Sequence, residues 1–203
     1  MKTITCRCER TFEADIPDAV DLDRDSGVFE AILDGEFLVT TCPHCGERLK
    51  PDIPVVVTSK RRGLALRVLP EGERHTWMSD LKSLPHGVEI LVGYAELYER
   101  VLILKDELDP RALEILKYYI LAKALEGSPE SSETPRVFYR GKDGNGRLSF
   151  GIEGLRAGEI ALLALPFDRY EKALRDMPGL ATQEPFSLFL SGPYASTRAL
   201  EGS

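Results

Sequence analysis

The sequence predicts an α+β fold in which an N-terminal β unit with an inserted short helix is followed by helices and a small C-terminal mixed unit that contains a β-hairpin. Three observations support this prediction. All four cysteines fall in two close pairs within the first 45 residues. Apolar residues recur at three- and four-residue spacing around residues 113–120, as on one face of a helix. A glycine-rich turn separates two β-like segments after residue 135.

Composition and charge limit the classes of partner. The chain has 203 residues, of which 33 are Asp or Glu and 26 are Lys or Arg, so its formal net charge is −7. An acidic chain has no general attraction to phosphate backbones, so we do not expect nucleic acid as a partner. The N-terminus lacks a signal or transit pattern, and no window reaches the roughly 18 apolar residues of a membrane span. We therefore expect a cytoplasmic protein with no membrane partner.

The cysteines form two pairs, Cys6-x-Cys8 and Cys42-x-x-Cys45, and no cysteine follows them. In a reducing cytoplasm, paired cysteines are more often metal ligands or redox centres than disulfides. Two turns that each offer two thiolates provide the ligands of a closed tetrahedral zinc site. The sequence therefore predicts a structural Zn²⁺ ion bound by Cys6, Cys8, Cys42 and Cys45.

The second pair, Cys42 and Cys45, also suits the dithiol of an oxidoreductase. Such a dithiol begins a long helix, whose N-terminus lowers the thiol pKa. Gly46 and two prolines soon after it leave no room for that helix. A glycine in this position instead favours a tight turn with positive φ, in which N–H groups can point at sulfur. A redox dithiol and unligated buried cysteines stay open as alternatives, and we expect His44 to be a solvent-facing turn residue.

Between the two pairs, the segment DLDRDSGVFEAILDGEF predicts a short helix. Asp25 or Ser26 can cap its start, and Gly35 follows its end. The expected apolar face consists of Phe29, Ile32 and Leu33.

Two β-branched, apolar segments, Phe37–Thr40 and Ile53–Thr58, are predicted to be strands on either side of the CPHC turn. Strand, metal turn and strand in this order is the layout of a zinc ribbon. The segment LALRVLP predicts a further strand, at a solvated edge. It lies within a basic stretch for which anion or nucleic-acid binding is an alternative function, formed by Lys60, Arg61, Arg62, Arg67 and Arg74.

The strongest helical signal begins at Asp109 and Pro110, because aspartate accepts the free N–H groups of a first turn and proline suits its first position. Gly127 ends the pattern. Upstream, residues 93–102 predict another helix, although VLILK at 101–105 suits a strand equally well. We expect the main helix to pack in the core or against another copy of the chain through Leu113, Leu116, Tyr119 and Ile120.

The polar, proline-bounded segment GSPESSETP at 127–135 predicts a linker between two regions, 1–126 and 136–203. In the second region, Val137–Arg140 and Arg147–Ile152 are expected to pair as a β-hairpin across the turn DGNG. The segment DRYEKALRDM then predicts a helix, and FSLFLSG predicts a strand.

The chain resembles the bacterial and archaeal CpXC proteins, which are named for two Cys-Pro-x-Cys motifs. The likeness lies in CPHCG after DGEF, in the proline-bounded strands that follow, and in AELYERVLILKDELDPRALEILKYYIL. It covers residues 1–125 and implies a zinc-ribbon-like, zinc-binding domain in region 1–126, in a family without an established biochemical activity. The motif positions that carry over are the four cysteines, although the first pair lacks the proline and one spacer residue.

The sequence predicts no catalytic or cofactor-binding residues. It contains no HExxH, GxSxG or P-loop motif and no dinucleotide fingerprint, and four thiolates would close a zinc ion to water. The favoured interpretation is a noncatalytic, zinc-stabilised protein-interaction or regulatory module with protein partners, among them a second copy in a homodimer. The alternatives are a dithiol oxidoreductase using Cys42 and Cys45, and a nucleic-acid-binding zinc ribbon.

Overall fold

The computed structural model describes residues 1–79, 87–127 and 135–202. Their mixture of helices and strands confirms the predicted α+β class. The predicted linker, 127–135, lies outside these residues except at its two ends.

The described chain forms two compact units. The first contains residues 1–77 and 87–98, and the second is built mainly from residues 99–127 and 135–202. The second unit therefore combines the main helix with the C-terminal strands. The division into regions 1–126 and 136–203 that the sequence indicates stays a prediction.

Short strands form most of the first unit, because its sequence is rich in β-branched and apolar runs. The strands are β1 (Lys2–Thr5), β2 (Thr11–Ala14), β3 (Ala19–Asp21), β4 (Thr40–Thr41), β5 (Arg48–Leu49), β6 (Val55–Ser59), β7 (Leu64–Leu69) and β8 (Glu89–Val92). The helices among and after them are α1 (Ser26–Leu33), α2 (Arg74–Ser79) and α3 (Gly93–Lys105), and α3 continues into the second unit.

The main sheet of the first unit has the strand order β3-β6-β7-β8. β6 and β7 pair antiparallel, while β3 and β8 run parallel to their neighbours. β7 has a neighbour on each side, so the prediction that it is an edge strand is wrong. Arg67 is exposed because successive side chains of a strand point to opposite faces of the sheet. The opposite set of side chains forms the core: Val55, Val57, Leu64, Leu66 and Val68 are buried.

Helix α1 forms where the sequence predicts it, and its N-cap is Asp25, whose side chain accepts a hydrogen bond from the N–H of Gly27 at 3.2 Å. The buried face differs in part from the expected one. Ile32 is buried as predicted, but its buried partner is Val28, whereas Phe29 and Leu33 are only half-buried.

The segment before the second cysteine pair also differs from the prediction. Phe37 and Leu38 are buried but lie in a turn, and Leu38 has a φ of 60°. A positive φ interrupts extended backbone, so the predicted strand Phe37–Thr40 is reduced to β4 at Thr40–Thr41. The predicted strand Ile53–Thr58 does form, as β6, but it pairs with β3 and β7 rather than across the CPHC turn.

The second unit contains the end of α3, three strands and further helices. These are α4 (Pro110–Gly127), β9 (Arg136–Lys142), β10 (Leu148–Glu153), β11 (Ile160–Leu165), α5 (Phe167–Leu180), α6 (Phe186–Leu190) and a 3-10 helix at Thr197–Gly202. The segment VLILK is helical, because α3 runs through it without a break.

Helix α4 begins as predicted, because the carboxylate of Asp109 accepts from the N–H groups of Arg111 at 2.8 Å and Ala112 at 3.1 Å. Three of the four predicted core residues are buried, but Tyr119 is 52% exposed. Its ring lies at the margin of the core, 5.8 Å from the ring of Phe186. The buried apolar positions of α4 are Ala112, Leu113, Ile115, Leu116 and Ile120.

The C-terminal sheet has the strand order β11-β10-β9, with antiparallel pairing throughout. The predicted hairpin of β9 and β10 is confirmed, and the sequence prediction missed its neighbour β11. FSLFLSG is wrong as a strand: its first five residues form α6, in which Phe186, Phe189 and Leu190 are buried. Spacing of three and four residues places these side chains on one face of a helix.

A charged cluster is buried inside the second unit. The ammonium of Lys117 donates to Glu114 at 2.6 Å and to Glu99 at 3.1 Å. The carboxylates also accept backbone N–H groups, Glu99 from Tyr139 at 2.7 Å and Glu114 from Thr197 at 2.7 Å. Burial alone would lower the pKa of Lys117, but the two carboxylates outweigh it and raise that pKa. The cluster therefore connects α3, α4, β9 and the C-terminal 3-10 helix.

Replacing Lys117 with methionine is expected to destabilise the protein by about 3–5 kcal/mol, because it leaves two buried carboxylates without their cation. Urea denaturation followed by circular dichroism measures the change in unfolding free energy. The matched control is Lys123→Met, at an exposed position of the same helix. Equal effects of the two substitutions would contradict a stabilising role for the buried cluster.

Asp23 fixes the turn between β6 and β7. Its carboxylate accepts from the hydroxyl of Ser59 at 2.6 Å and from the N–H of Arg61 at 3.0 Å. The Ser59 hydroxyl, followed by the Arg61 N–H, favours the ionised form and lowers the pKa of Asp23 below its ordinary value. The charged carboxylate therefore contributes to the stability of this turn.

Asp23→Ala is expected to lower the unfolding free energy at neutral pH, and this difference from the parent should vanish in acid. Because the folded pKa is depressed, the stabilisation is complete above the pKa of an unfolded aspartate, about 3.9, and is lost as the pH falls through the folded pKa. Urea titrations over a pH series measure the difference. Asp15→Ala, at an exposed aspartate of the same unit, is the control. A difference that persists unchanged in acid would rule out the ionised form as its source.

Candidate metal centre

The first cysteine pair lies in the turn between β1 and β2. The strands pair antiparallel up to Thr5 and Thr11, so residues 6–10 form the loop. Two hydrogen bonds hold it, from the N–H of Cys6 to the carbonyl of Arg10 at 2.9 Å and from the N–H of Glu9 to the carbonyl of Cys6 at 2.9 Å. Glu9 has a φ of 65°. This left-handed residue turns the chain back directly after Cys8.

The second pair lies in the turn between β4 and β5. The N–H of Cys42 donates to the carbonyl of Glu47 at 2.8 Å, and the N–H of Gly46 donates to the carbonyl of Cys42 at 3.0 Å. Gly46 has a φ of 75°, which confirms the expected tight turn after Cys45. His44 is exposed, as the sequence predicts.

The two turns bring the four sulfur atoms together. All four lie within 4.8 Å of one another, with 3.5 Å between the sulfurs of Cys6 and Cys45 and 3.9 Å between those of Cys8 and Cys42. A tetrahedron with metal–sulfur bonds of about 2.3 Å has sulfur–sulfur edges of about 3.8 Å. The distances fit that geometry and greatly exceed a disulfide bond, and the cysteines are free thiols. The structure thus brings together every predicted ligand in a cluster that could hold a metal ion.

The four thiols differ in burial, and Cys42 and Cys6 have pKa values shifted in opposite directions. Cys6 and Cys42 are buried, whereas Cys8 and Cys45 are exposed. Burial opposes ionisation of Cys42, but the N–H groups of His44 and Cys45 and the thiols of Cys45 and Cys6 lower the pKa of Cys42 to about 6. The N–H of Cys8 favours a Cys6 thiolate, yet burial and the neighbouring sulfurs raise the pKa of Cys6 to about 12. The directions of these two pKa shifts favour a thiolate at Cys42 over one at Cys6.

Sequence reasoning missed Glu47, which lies beside the cluster. Its carboxylate is 3.7 Å from the sulfur of Cys6 and 3.5 Å from the guanidinium of Arg7. The carboxylate can accept the Cys6 S–H, and Arg7 offsets part of its charge. The sequence signal for Glu47 is an acidic residue two positions after Cys45, and on its own this does not specify a contact with Cys6.

Some cations of the basic stretch that the sequence offered as an anion site have partners within the first unit. Arg74 is 12% exposed and donates to Glu71 at 2.6 Å and to Glu96 at 2.8 Å. The guanidinium of Arg62 lies over the ring of Phe29, 5.1 Å from its centroid. At least two of the five cations are therefore engaged within the first unit.

Gly46→Ala is expected to lower the unfolding free energy by about 1–2 kcal/mol, because a left-handed φ is costly for any residue with a Cβ. A Cβ at Gly46 would meet no atom within 4 Å, so the cost comes from backbone conformation alone. Chemical denaturation at a fixed metal concentration measures it. Gly144→Ala is the matched control, since its Cβ also meets nothing within 4 Å and its φ is not positive. A loss no larger than that of the control would contradict strain at Gly46.

No helix in residues 1–79, 87–127 and 135–202 is long and apolar enough to cross a membrane. No solved structure matches the chain. A relative from Treponema pallidum (strain Nichols), described as an uncharacterized protein, is 28% identical over 216 residues, which cover 97% of this chain and 96% of the relative.

A family model, described as CpXC protein, matches residues 4–117. The match covers more than half of the chain and contains both cysteine turns. It confirms the resemblance that the motifs CPHCG and DGEF indicate. The chain therefore belongs to the CpXC protein family.

Proposed function

We propose that this CpXC protein is a noncatalytic, zinc-stabilised module for protein interaction or regulation. The observation that supports the proposal is the convergence of the four thiols, which lie within 4.8 Å of one another with edges of 3.5 and 3.9 Å. An ion held by Cys6, Cys8, Cys42 and Cys45 would connect the β1–β2 turn to the β4–β5 turn.

Zinc suits this set of ligands. Thiolates are soft ligands, and Zn²⁺ accepts tetrahedral coordination without a preference imposed by its d electrons. Four thiolates also fill the coordination sphere, so no position is left for the water that a catalytic zinc activates. The arrangement therefore favours a structural role over hydrolytic chemistry.

The size of the two hairpins explains why they need an ion. β4 and β5 contain 2 residues each, and β1 and β2 contain 4 each. Hairpins this short are marginal in water by themselves. A structural zinc site contributes on the order of 10 kcal/mol, which is comparable to the stability of a whole domain. Zinc binding would be sufficient to hold both hairpins in place.

The proposal includes a cellular location and a class of partner. Cysteines that serve as metal ligands must stay reduced, and we therefore propose the cytoplasm as the location. The partners are proteins, including a second copy of the chain, and neither a membrane nor nucleic acid is required.

A dithiol oxidoreductase is the alternative, and the lowered pKa of Cys42 favours it because a thiolate is the nucleophile in such enzymes. Two observations weigh against it. Cys42 and Cys45 lie in a turn between strands rather than at the start of a helix. Sulfur contacts of 3.5 and 3.9 Å also join one pair to the other, Cys6 to Cys45 and Cys8 to Cys42, as in a four-thiol site.

Untagged protein from zinc-supplemented culture is expected to contain about one zinc equivalent per chain. Cys42→Ser should lose most of this zinc, because a serine hydroxyl is a poor zinc ligand. Elemental analysis by mass spectrometry measures the metal, and circular dichroism during chelation measures the linked loss of structure.

The matched control is His44→Ala in the same turn, which should keep its zinc because the imidazole is not a ligand. Less than half an equivalent in the parent would contradict the zinc site. A reversible disulfide between Cys42 and Cys45 in the native protein would support the oxidoreductase instead.

A further inference from the structure

Strand β11 forms an edge of the C-terminal sheet in the part of the chain that the structure describes. The order β11-β10-β9 gives it a neighbour on one side only. Its sequence, IALLAL, is entirely apolar, yet Leu162 is 68% exposed and Ile160 is 49% exposed. The backbone N–H and C=O groups along such an edge can pair with another strand, and the exposed leucine and isoleucine would be buried by it.

The two edges of this sheet differ in how well they are protected against pairing. β9, at the far edge, carries Arg136, Arg140 and Lys142, and its register with β10 shifts at Ser149/Phe150. Charge and irregularity of this kind discourage pairing with other chains. β11 has no charged residue and no proline, and its register with β10 is regular along its whole length. Of the two edge strands described for this sheet, β11 therefore lacks the charges and irregular register that protect β9 from pairing.

The residues that flank β11 indicate what kind of strand would fit against it. Arg156 and Glu159 precede the strand, Asp168 and Arg169 follow it, and all four side chains are exposed. Each flank therefore carries one acidic and one basic residue. A two-fold axis between antiparallel copies of β11 would bring the preceding flank of one copy to the following flank of the other. Arg156 and Glu159 already form an ion pair at 3.8 Å, and Asp168 and Arg169 carry opposite charges at the start of α5, so the pairing would bring no excess of like charge together at either end.

We propose that β11 pairs antiparallel with β11 of a second copy of this chain and so forms a homodimer. This rests on the proposed function as an interaction module and names its surface. Two chains of net charge −7 repel each other, and an interface whose strand is uncharged and whose flanks are each neutral adds nothing to that repulsion. Self-pairing across a two-fold axis also occupies both open edges and ends at a dimer.

The end of the strand limits where pairing occurs. The guanidinium of Arg147 donates to the carbonyl of Ala164 at 2.7 Å, which occupies one acceptor toward the C-terminal end of β11. The pairing therefore uses chiefly Ile160–Leu163, with the axis near Leu162. This is also the most exposed part of the strand.

Analytical ultracentrifugation of the full, zinc-loaded chain over a concentration series tests the proposal. The parent should form a reversible dimer, and Leu162→Lys should raise the dissociation constant at least about tenfold, because two ammonium groups would meet near the axis. Hydrogen exchange of the β11 amides should slow with concentration in the parent and not in the variant. Leu188→Lys on α6, where leucine is 48% exposed, is the matched control and should dimerise like the parent.

The outcomes separate this proposal from its competitors. A parent that stays monomeric, or a dimer that Leu162→Lys leaves intact, overturns it, and so does pairing of β11 with a different protein only. Ile160→Lys provides the same test if Leu162→Lys does not fold. Zinc content is measured in the same samples. Dimerisation without zinc would contradict the proposed zinc module but support the β11 interface, whereas full zinc occupancy in a monomer would do the reverse.

Discussion

In the first unit, sulfur atoms from two turns that are distant in sequence meet in one cluster. Each turn places a left-handed residue directly after its second cysteine, Glu9 after Cys8 and Gly46 after Cys45, with φ of 65° and 75°. The two cysteine turns therefore share a residue with positive φ at the same position, although the spacing of their cysteines differs. This explains how a Cys-x-Cys pair can take the place of a Cys-Pro-x-Cys motif: the loop conformation, more than the spacer, directs both sulfurs to one point.

The second unit is held by a different kind of interaction. Its buried ammonium on Lys117 joins carboxylates from two helices, and those carboxylates accept N–H groups from β9 and from the C-terminal 3-10 helix. A buried charge is costly unless every partner is in place. Such a cluster specifies one arrangement of these segments, because any shift would leave a charge unpaired. One unit thus contains a cluster of four thiols, and the other contains a buried ionic network.

Local signals in the sequence predicted the parts of the structure that local interactions determine. Asp109 caps α4, Gly46 takes a positive φ, and DGNG closes a hairpin, because each depends on a few neighbouring residues. The errors arise where distant contacts decide. FSLFLSG is rich in β-forming residues, but its apolar side chains fit a helical face, and β7 became an inner strand only because β8 returns beside it. The Lys117 cluster was hidden for the same reason, since its partners lie far apart in the sequence.

The cysteine cluster shows the same division between local and distant information. The four cysteines could be predicted as one cluster from their pairing in the sequence, but their proximity depends on two hairpins and the route of the chain between them. Glu47 was missed because its contact with Cys6 crosses from one hairpin to the other. Glu9 was missed because a left-handed conformation at a glutamate has no signature in residue type.

The unequal burial of the sulfurs affects how other thiols or chelators would reach the cluster. Cys6 and Cys42 face the interior, while Cys8 and Cys45 face water, so each turn contributes one shielded and one accessible ligand. If the cluster holds a metal ion, an incoming thiol or chelator would meet the accessible sulfurs first. The inner pair would keep its hold on the ion until the last step. With an ion bound, exchange with other thiols would thus begin at Cys8 and Cys45 and reach Cys6 and Cys42 last.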